Sequence, residues 1–250
     1  MIANCHPNRP GPIMQYIKPY TYFVQKEGGT NNLLMGSLCM LSTQIIPIVG
    51  QIVLMGYQAE VAEDLEKDPD ISDHANFNFN HFSRYLGRGV WVFLIQIILF
   101  AVIMLMAMIS IGIGLLIYML LPPDIGLFVG IGVGFLLYII LATMVTMFTW
   151  PMTLHVQLSK GFHFGSALRF STSFIKKLSG QLLVSLLAHM VITSILMIAG
   201  LLVFCIGVFP AATISLMAQE HFMIQLYRIY LNEGGDPIGS DLEQLEFDEE

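Results

Sequence analysis

Four polar side chains stand inside long apolar stretches, and they are the residues whose chemistry would matter most there: Gln96, His189, Glu220 and His221. An imidazole or a carboxyl placed within hydrocarbon is expensive and is often kept for moving a proton or an ion. His189 has Ser185 one turn before it and Thr193 one turn after it, so a hydroxyl–imidazole ladder could form on one helix face. Together the four could line a midplane polar path. The competing reading is interhelical hydrogen bonding, worth about 0.6 kcal/mol per pair in membranes. It is the weightier one, because His189 has no acidic partner in view and Glu220 lies near a helix end.

Outside these stretches the chemistry is thinner. His74, His81, His155 and His163 fall on polar links, and no HExxH or GxSxG pattern accompanies them. Nothing assembles a nucleophile, a base and an orienting group, so no catalytic residue is assigned and the chain reads as a non-enzyme. Cys5, Cys39 and Cys205 form no CxxC pair, which argues against zinc or a disulfide framework. The segment "AEVAEDLEKDPDISD" carries seven carboxylates and one lysine without EF-hand spacing, and reads as a solvated link. No cofactor or metal is expected, and without a basic stripe neither is nucleic acid.

The elements that hold these residues follow from composition. Apolar residues make up 55% of the 250 and charged residues 12%, about half the share in an average soluble domain. So few charges cannot cover a globular surface, so hydrocarbon must be the solvent for much of it. Five apolar stretches read as transmembrane helices, at about 33–57, 89–121, 125–151, 181–204 and 209–227. Strands with open edges are excluded in lipid. The first stretch contains Ser42, Thr43, Gln44, Pro47 and Gly50, so it crosses once with a kink or re-enters as two half-helices. The kinked crossing is the favoured reading. "LLPPDIG" and "CIGVFPAA" make two tight turns without Lys or Arg. The glycines of "GLFVGIGVGF" (Gly126, Gly130 and Gly134) mark a close-packing face rather than a nucleotide loop. The opening residues lack the apolar core of a signal peptide.

The eleven Lys and Arg fall in the N-terminal tail 1–32, the links 58–88 and 152–180, and Arg228 near the end. Such a bias puts the links and the C-terminus on the cytoplasmic side. Two link segments, 77–88 and 166–178, read as amphipathic interfacial helices, their rings in the acyl boundary and Arg84, Arg88, Arg169, Lys176 and Lys177 among lipid phosphates. Phe77, Phe79, Arg84 and Tyr85 match Phe162, Phe164, Arg169 and Phe170 at a constant offset, which suggests a pseudo-repeat. "IPIVGQIVLMGYQ" and "VFPAATISLMAQE" extend it through a shared Pro and Leu–Met pair. Residues 33–231 thus form one multi-pass helical domain. Residues 232–250, an acidic run without a base, read as a disordered tail available to a protein partner.

"IPIVGQIVLMGYQAEV", the acidic link and "FNFNHFSRYLGRGVWVFLIQII" resemble a family of prokaryotic multi-pass membrane proteins known only as a domain of unknown function (number four thousand and thirteen). The resemblance covers about Leu33 to Leu231. It implies an integral domain in a bacterial cytoplasmic membrane, and no reaction. The function expected is a membrane scaffold, assembly or membrane-organising module with lipids as partners. The alternative is a small transporter or channel.

Overall fold

The computed structural model describes residues 14–46, 48–68, 70–203 and 206–239, and all regular structure in it is helical. The helices are α1 (Lys18–Gln25), α2 (Gly29–Ser42), α3 (Val49–Lys67), α4 (Phe82–Leu120), α5 (Pro123–Ser159), α6 (Phe164–Leu202) and α7 (Val208–Asn232), with a 3-10 turn at Phe79–His81 before α4. Among the described residues, three segments are long and apolar enough to cross a membrane: Phe79–Leu120, Pro123–Ser159 and Phe164–Leu202. Only 17%, 11% and 22% of their most apolar windows are buried within the protein. Side chains such as Met119, Phe128 and Phe135 stand 77%, 78% and 63% exposed. A surface like that in water would be an aggregation site, and in a bilayer it is the ordinary outer face.

The turns form as their sequences dictate. Leu121 is extended, Pro122 precedes α5, and Pro123 sits in its first turn with Asp124 beside the orphan N–H groups. Gly114 faces Gly130 closely enough that a Cβ on either would strike the other's carbonyl, so α4 and α5 pair antiparallel backbone to backbone. The same holds for Gly200 against Gly207 where α6 turns into α7.

Residues 33–57 are not one kinked rod. α2 ends at Ser42, the chain breaks, and α3 begins at Val49 beside the helix just left. A Cβ on Gly50 would fall on Ser42 and on the carbonyl of Cys39. At the other end Asn32 accepts from the N–H of Phe77 and the Tyr57 hydroxyl donates to the Ala75 carbonyl. Asn32 near the start of α2 and Tyr57 midway along α3 therefore lie beside the same segment, so the chain folds back between them. The physical reason is that Asn32 and Tyr57 each have a partner in the segment after the acidic link, and only a fold-back lets both reach it.

The expected interfacial helix at 77–88 is not separate. Its second half continues into α4 without a break. The one expected at 166–178 is the first part of α6, which kinks at Leu178, φ −119°. Their rings do not all meet lipid. Phe77 and Tyr85 are buried against Tyr57, and Phe170 and Phe174 against Tyr230. An amphipathic face needs an apolar cover, and here α3 and α7 supply it. Phe79 and Phe164 remain exposed.

α7 is the central helix. From Met217 to Tyr230 nearly every residue is buried, with α1, α2, α3 and α6 around it. Gln58 meets Glu220 and Arg228 reaches the end of α3, so α3 and α7 run the same way. The aromatic core lies at this base of the bundle, around Tyr57, Tyr85, Phe174, Phe222 and Tyr230. A second, smaller cluster joins Val92 and Ile95 of α4 to Met152 and Val156 of α5.

The acidic link is held, not merely solvated. The Asp68 carboxylate accepts from the N–H groups of Asp70, Ser72 and Asp73. Arg228 donates to the carbonyls of Leu65, Glu66 and Asp68, closing the C-terminus of α3. Lys18 donates to the Asp70 carbonyl and Lys26 pairs with Asp73 at 2.7 Å. The first residues of the C-terminal tail are also held. Gly235 donates to Tyr230 O and Ile238 to the Tyr227 hydroxyl, while residues 240–250 lie outside the described residues.

Candidate functional site

Three helices running toward the same end each place one polar group at a single buried point. Gln58 of α3 and Gln157 of α5 both donate an amide N–H to Oε1 of Glu220 on α7, at 3.2 and 3.1 Å. All three are at most 5% exposed, and no cation reaches the carboxyl among the described residues. Gln157 Oε1 is buried without a hydrogen-bond partner there. The guanidinium of Arg88 comes near from outside, donating to the Gln157 backbone carbonyl at 3.1 Å. Tyr22 of α1 closes the point from the fourth side, its hydroxyl on Met217 O.

The other polar residues of the sequence reading lie in separate settings. His221 meets Gln225 through Nδ1 at 2.8 Å, and Gln225 is tied to the backbone of Gln15 in both directions. His189 meets the Tyr20 hydroxyl at 2.9 Å through Nδ1, with Trp150 and Phe222 against its ring. Gln96, half-buried on α4, makes no hydrogen bond with a described residue. The four are thus not strung along one path. Phe222 packs against the His189 ring, and His189, His221 and Glu220 each have a different hydrogen-bond partner.

A second constellation lies at the base. Glu63 of α3 is the pivot of Lys67 at 2.7 Å, Lys160 at 3.0 Å and Arg88 at 2.8 Å. Burial pushes the Glu63 carboxyl up, but hydrogen bonds from Lys67 and Lys160 and the charge of Arg88 outweigh it and bring it down to about 2. Arg84 pairs with the buried Glu60 at 3.0 Å. Just after the acidic link, against Tyr22 and Phe23, burial lowers the His74 imidazole to about 4, although its hydrogen bond to Ala75 O opposes this.

Two of the five cations expected among lipid phosphates, Arg88 and Lys177, are instead held by protein groups. Arg88 is 12% exposed and committed to Glu63, Ala59 O and Gln157 O, because its stem is drawn into the α3–α5 seam. Lys177 caps the end of α7 through the carbonyls of Glu233 and Gly234, and lies 5.5 Å from the Tyr230 ring centre. Arg84 is half exposed beside Glu60. Arg169 and Lys176 are exposed and pair with no described residue.

A family model described as "Protein of unknown function (DUF4013)" matches residues 39–223, from the end of α2 to the middle of α7. The chain belongs to this family. The matched segment contains Gln58, Gln157 and Glu220, the Glu63 cluster and the whole of α3–α6. No curated protein and no solved structure matches the chain. Membership in the DUF4013 family adds no reaction.

Sequence reasoning missed Gln58, Gln157 and Glu63. A signal for the first was present. The repeated Leu–Met pair (Leu54–Met55, Leu216–Met217), read three residues further on, sets Gln58 against Glu220. Gln157 carries no such mark, since its partner comes from a remote helix, and Glu63 carries only its i,i+4 spacing to Lys67.

Proposed function

We propose that this DUF4013 member is a non-enzymatic integral membrane protein acting as a scaffold or assembly module of a bacterial cytoplasmic membrane. α4 and α5 form one crossing hairpin and α6 and α7 another. α2 and α3 dip in and return, and both termini lie on the cytoplasmic side with the cations. The observation that carries the reading is the closure of the Gln58–Glu220–Gln157 point. There the Glu220 carboxyl is held by two amides inside the packed core, while the large exposed surface is apolar. Arg169 and Lys176 face lipid phosphates on this reading, and the acidic C-terminal residues are available to a soluble partner. The test is reconstitution. Liposomes holding the protein should show no flux of protons or small ions above empty liposomes, while crosslinking in native membranes should trap a reproducible protein partner or a second copy. Flux that Glu220→Gln abolishes would refute the scaffold.

That outcome would support a second reading, a small transporter. It is favoured by one observation: Glu220 is a buried carboxyl with amide donors and no cation, next to the unpaired Gln157 Oε1. Such a group can take up and release a proton if the core opens.

A further inference from the structure

The Glu63 cluster holds more positive charge than its own structure uses. Lys67, Arg84, Arg88 and Lys160 converge on only two carboxylates, Glu60 and Glu63. The other acids of α3 are turned elsewhere: Asp64 accepts from the Ala75 N–H and Glu66 lies beside Arg228. Lys67 and Lys160 share one oxygen of Glu63, so their ammonium nitrogens lie within about 6 Å of each other, where like charges repel. Their side chains are 61% and 59% exposed. Each ammonium has three donors and gives one to Glu63, which leaves donors from both facing outward together. A tetrahedral phosphate can bridge such a pair, with each ammonium donating to a different oxygen at about 2.8 Å.

The backbone points the same way. Lys160 ends α5 in the left-handed region, φ +57°. Glycine is the usual residue there, because a Cβ crowds the following carbonyl. Gly161 follows immediately but does not take that position. The chain thus keeps a lysine at a strained site, which puts its ammonium on Glu63.

What lies beside the pair identifies the source of the phosphate. Arg88 of the same cluster reaches the end of α5, and one turn on, Trp91 stacks on Phe162 at 6.4 Å. Trp91 and Phe164 are 40% and 43% exposed, and the outward apolar surface of α4 begins here. Exposed aromatic rings between a cation cluster and an apolar face are what a membrane–water boundary presents.

We propose that Lys67 and Lys160 bind the phosphate of an anionic phospholipid, with Trp91 and Phe162 against its glycerol and upper acyl chain. This rests on the reading that the base of the bundle meets the bilayer surface. The low ionisation range of Glu63 agrees with a locally positive field.

The test uses the full chain with Trp150→Phe, so that Trp91 is the sole indole reporter. It is reconstituted with brominated phosphatidylglycerol or brominated phosphatidylcholine at equal bulk fraction. The expected result is stronger Trp91 quenching by phosphatidylglycerol. Lys67→Gln with Lys160→Gln should lower that preference by about thirty-fold, the product of ~1 kcal/mol for each cation, and Lys67→Arg with Lys160→Arg should retain it. Equal quenching of the starting protein by both lipids would overturn the proposal, and so would a preference that survives the double glutamine variant. Loss of the preference to millimolar inorganic phosphate would assign the site to a soluble ligand and overturn the lipid assignment. Quenching by neither lipid would remove Trp91 from the bilayer, and with it the membrane-surface reading itself.

Discussion

At the scale of single residues, charge is used in two ways. Glu63 satisfies three cations in partial contact with water, whereas Oε1 of the buried Glu220 accepts from two neutral amides. The folded-state value of Glu63 lies below its ordinary range, so its contribution is present above about pH 4.5 and is lost as pH falls toward 2. Water around the two exposed lysines discounts it, and about 1–2 kcal/mol is expected at neutral pH. Glu63→Gln should lower thermal stability in detergent by that amount at pH 7, and the difference from the parent should shrink below pH 4.5. His74 titrates in a higher window. Its folded value near 4 lies below that of a free imidazole, near 6.5, so its contribution is complete above about pH 6.5 and is lost as pH falls toward 4. His74→Gln should flatten the stability profile between those limits and leave the slope below them. For Glu220, the arithmetic of unmade hydrogen bonds decides. Glu220→Leu strands the Gln58 and Gln157 amides and should cost about 2–4 kcal/mol, whereas Glu220→Gln keeps an acceptor and should cost less than about 1 kcal/mol. Melting of the two variants in one detergent tests this. Equal losses would mean that the carboxyl contributes through packing alone.

At the scale of elements, close backbone approach positions the chemistry. Gly56 of α3 and Gly89 of α4 let the two helices touch, since a Cβ on Gly56 would meet the Tyr85 carbonyl and one on Gly89 the Ile52 carbonyl. That contact brings Arg84 and Arg88 onto Glu60 and Glu63. Gly56→Ala or Gly89→Ala should separate the helices and destabilise by about 3 kcal/mol or more. Gly87→Ala, which has open space, should be neutral or slightly stabilising by helix propensity. A neutral Gly56→Ala would show that the helices do not meet there. Much of this level was legible in the sequence. The double proline foretold the turn between α4 and α5, and the Gly-spaced face their close packing. What stayed hidden has one cause. An apolar helix face looks the same whether lipid or protein covers it, so Phe170 and Phe174 read as lipid anchors until α7 is laid on them. Likewise the breakers around Pro47 fit a kink as well as a fold-back, and only the remote partners of Asn32 and Tyr57 decide between them.

At the scale of the whole molecule, length sets the topology. α4, α5 and α6, with 39, 37 and 39 residues, are each about 55–58 Å long at 1.5 Å per residue. The hydrocarbon layer is about 30 Å thick, so helices of this length that cross it must tilt or project beyond it, and the base around α7 covers one end of each. α2, with 14 residues, is only about 21 Å long and cannot cross. Its tip carries Ile45 and Ile46 at 78% and 60% exposure, which suits a loop ending within acyl chains. On the proposed topology, Asp124→Cys in a chain cleared of its own cysteines should react with a charged thiol reagent added outside intact cells. Arg169→Cys should react only after the membrane is opened. Ile45→Cys should resist the charged reagent from both sides and yield to an apolar one. A single crossing by residues 33–57 makes a different forecast, because it carries the start of α1 to the outer face. Thr21→Cys, half-buried in α1, would then react from outside, whereas the fold-back keeps it with Arg169 on the inner side. The pairing of Gln15 with Gln225 fixes α1 to the later half of α7, so labelling of Thr21→Cys from outside would overturn the fold-back and the shared side of the two termini together.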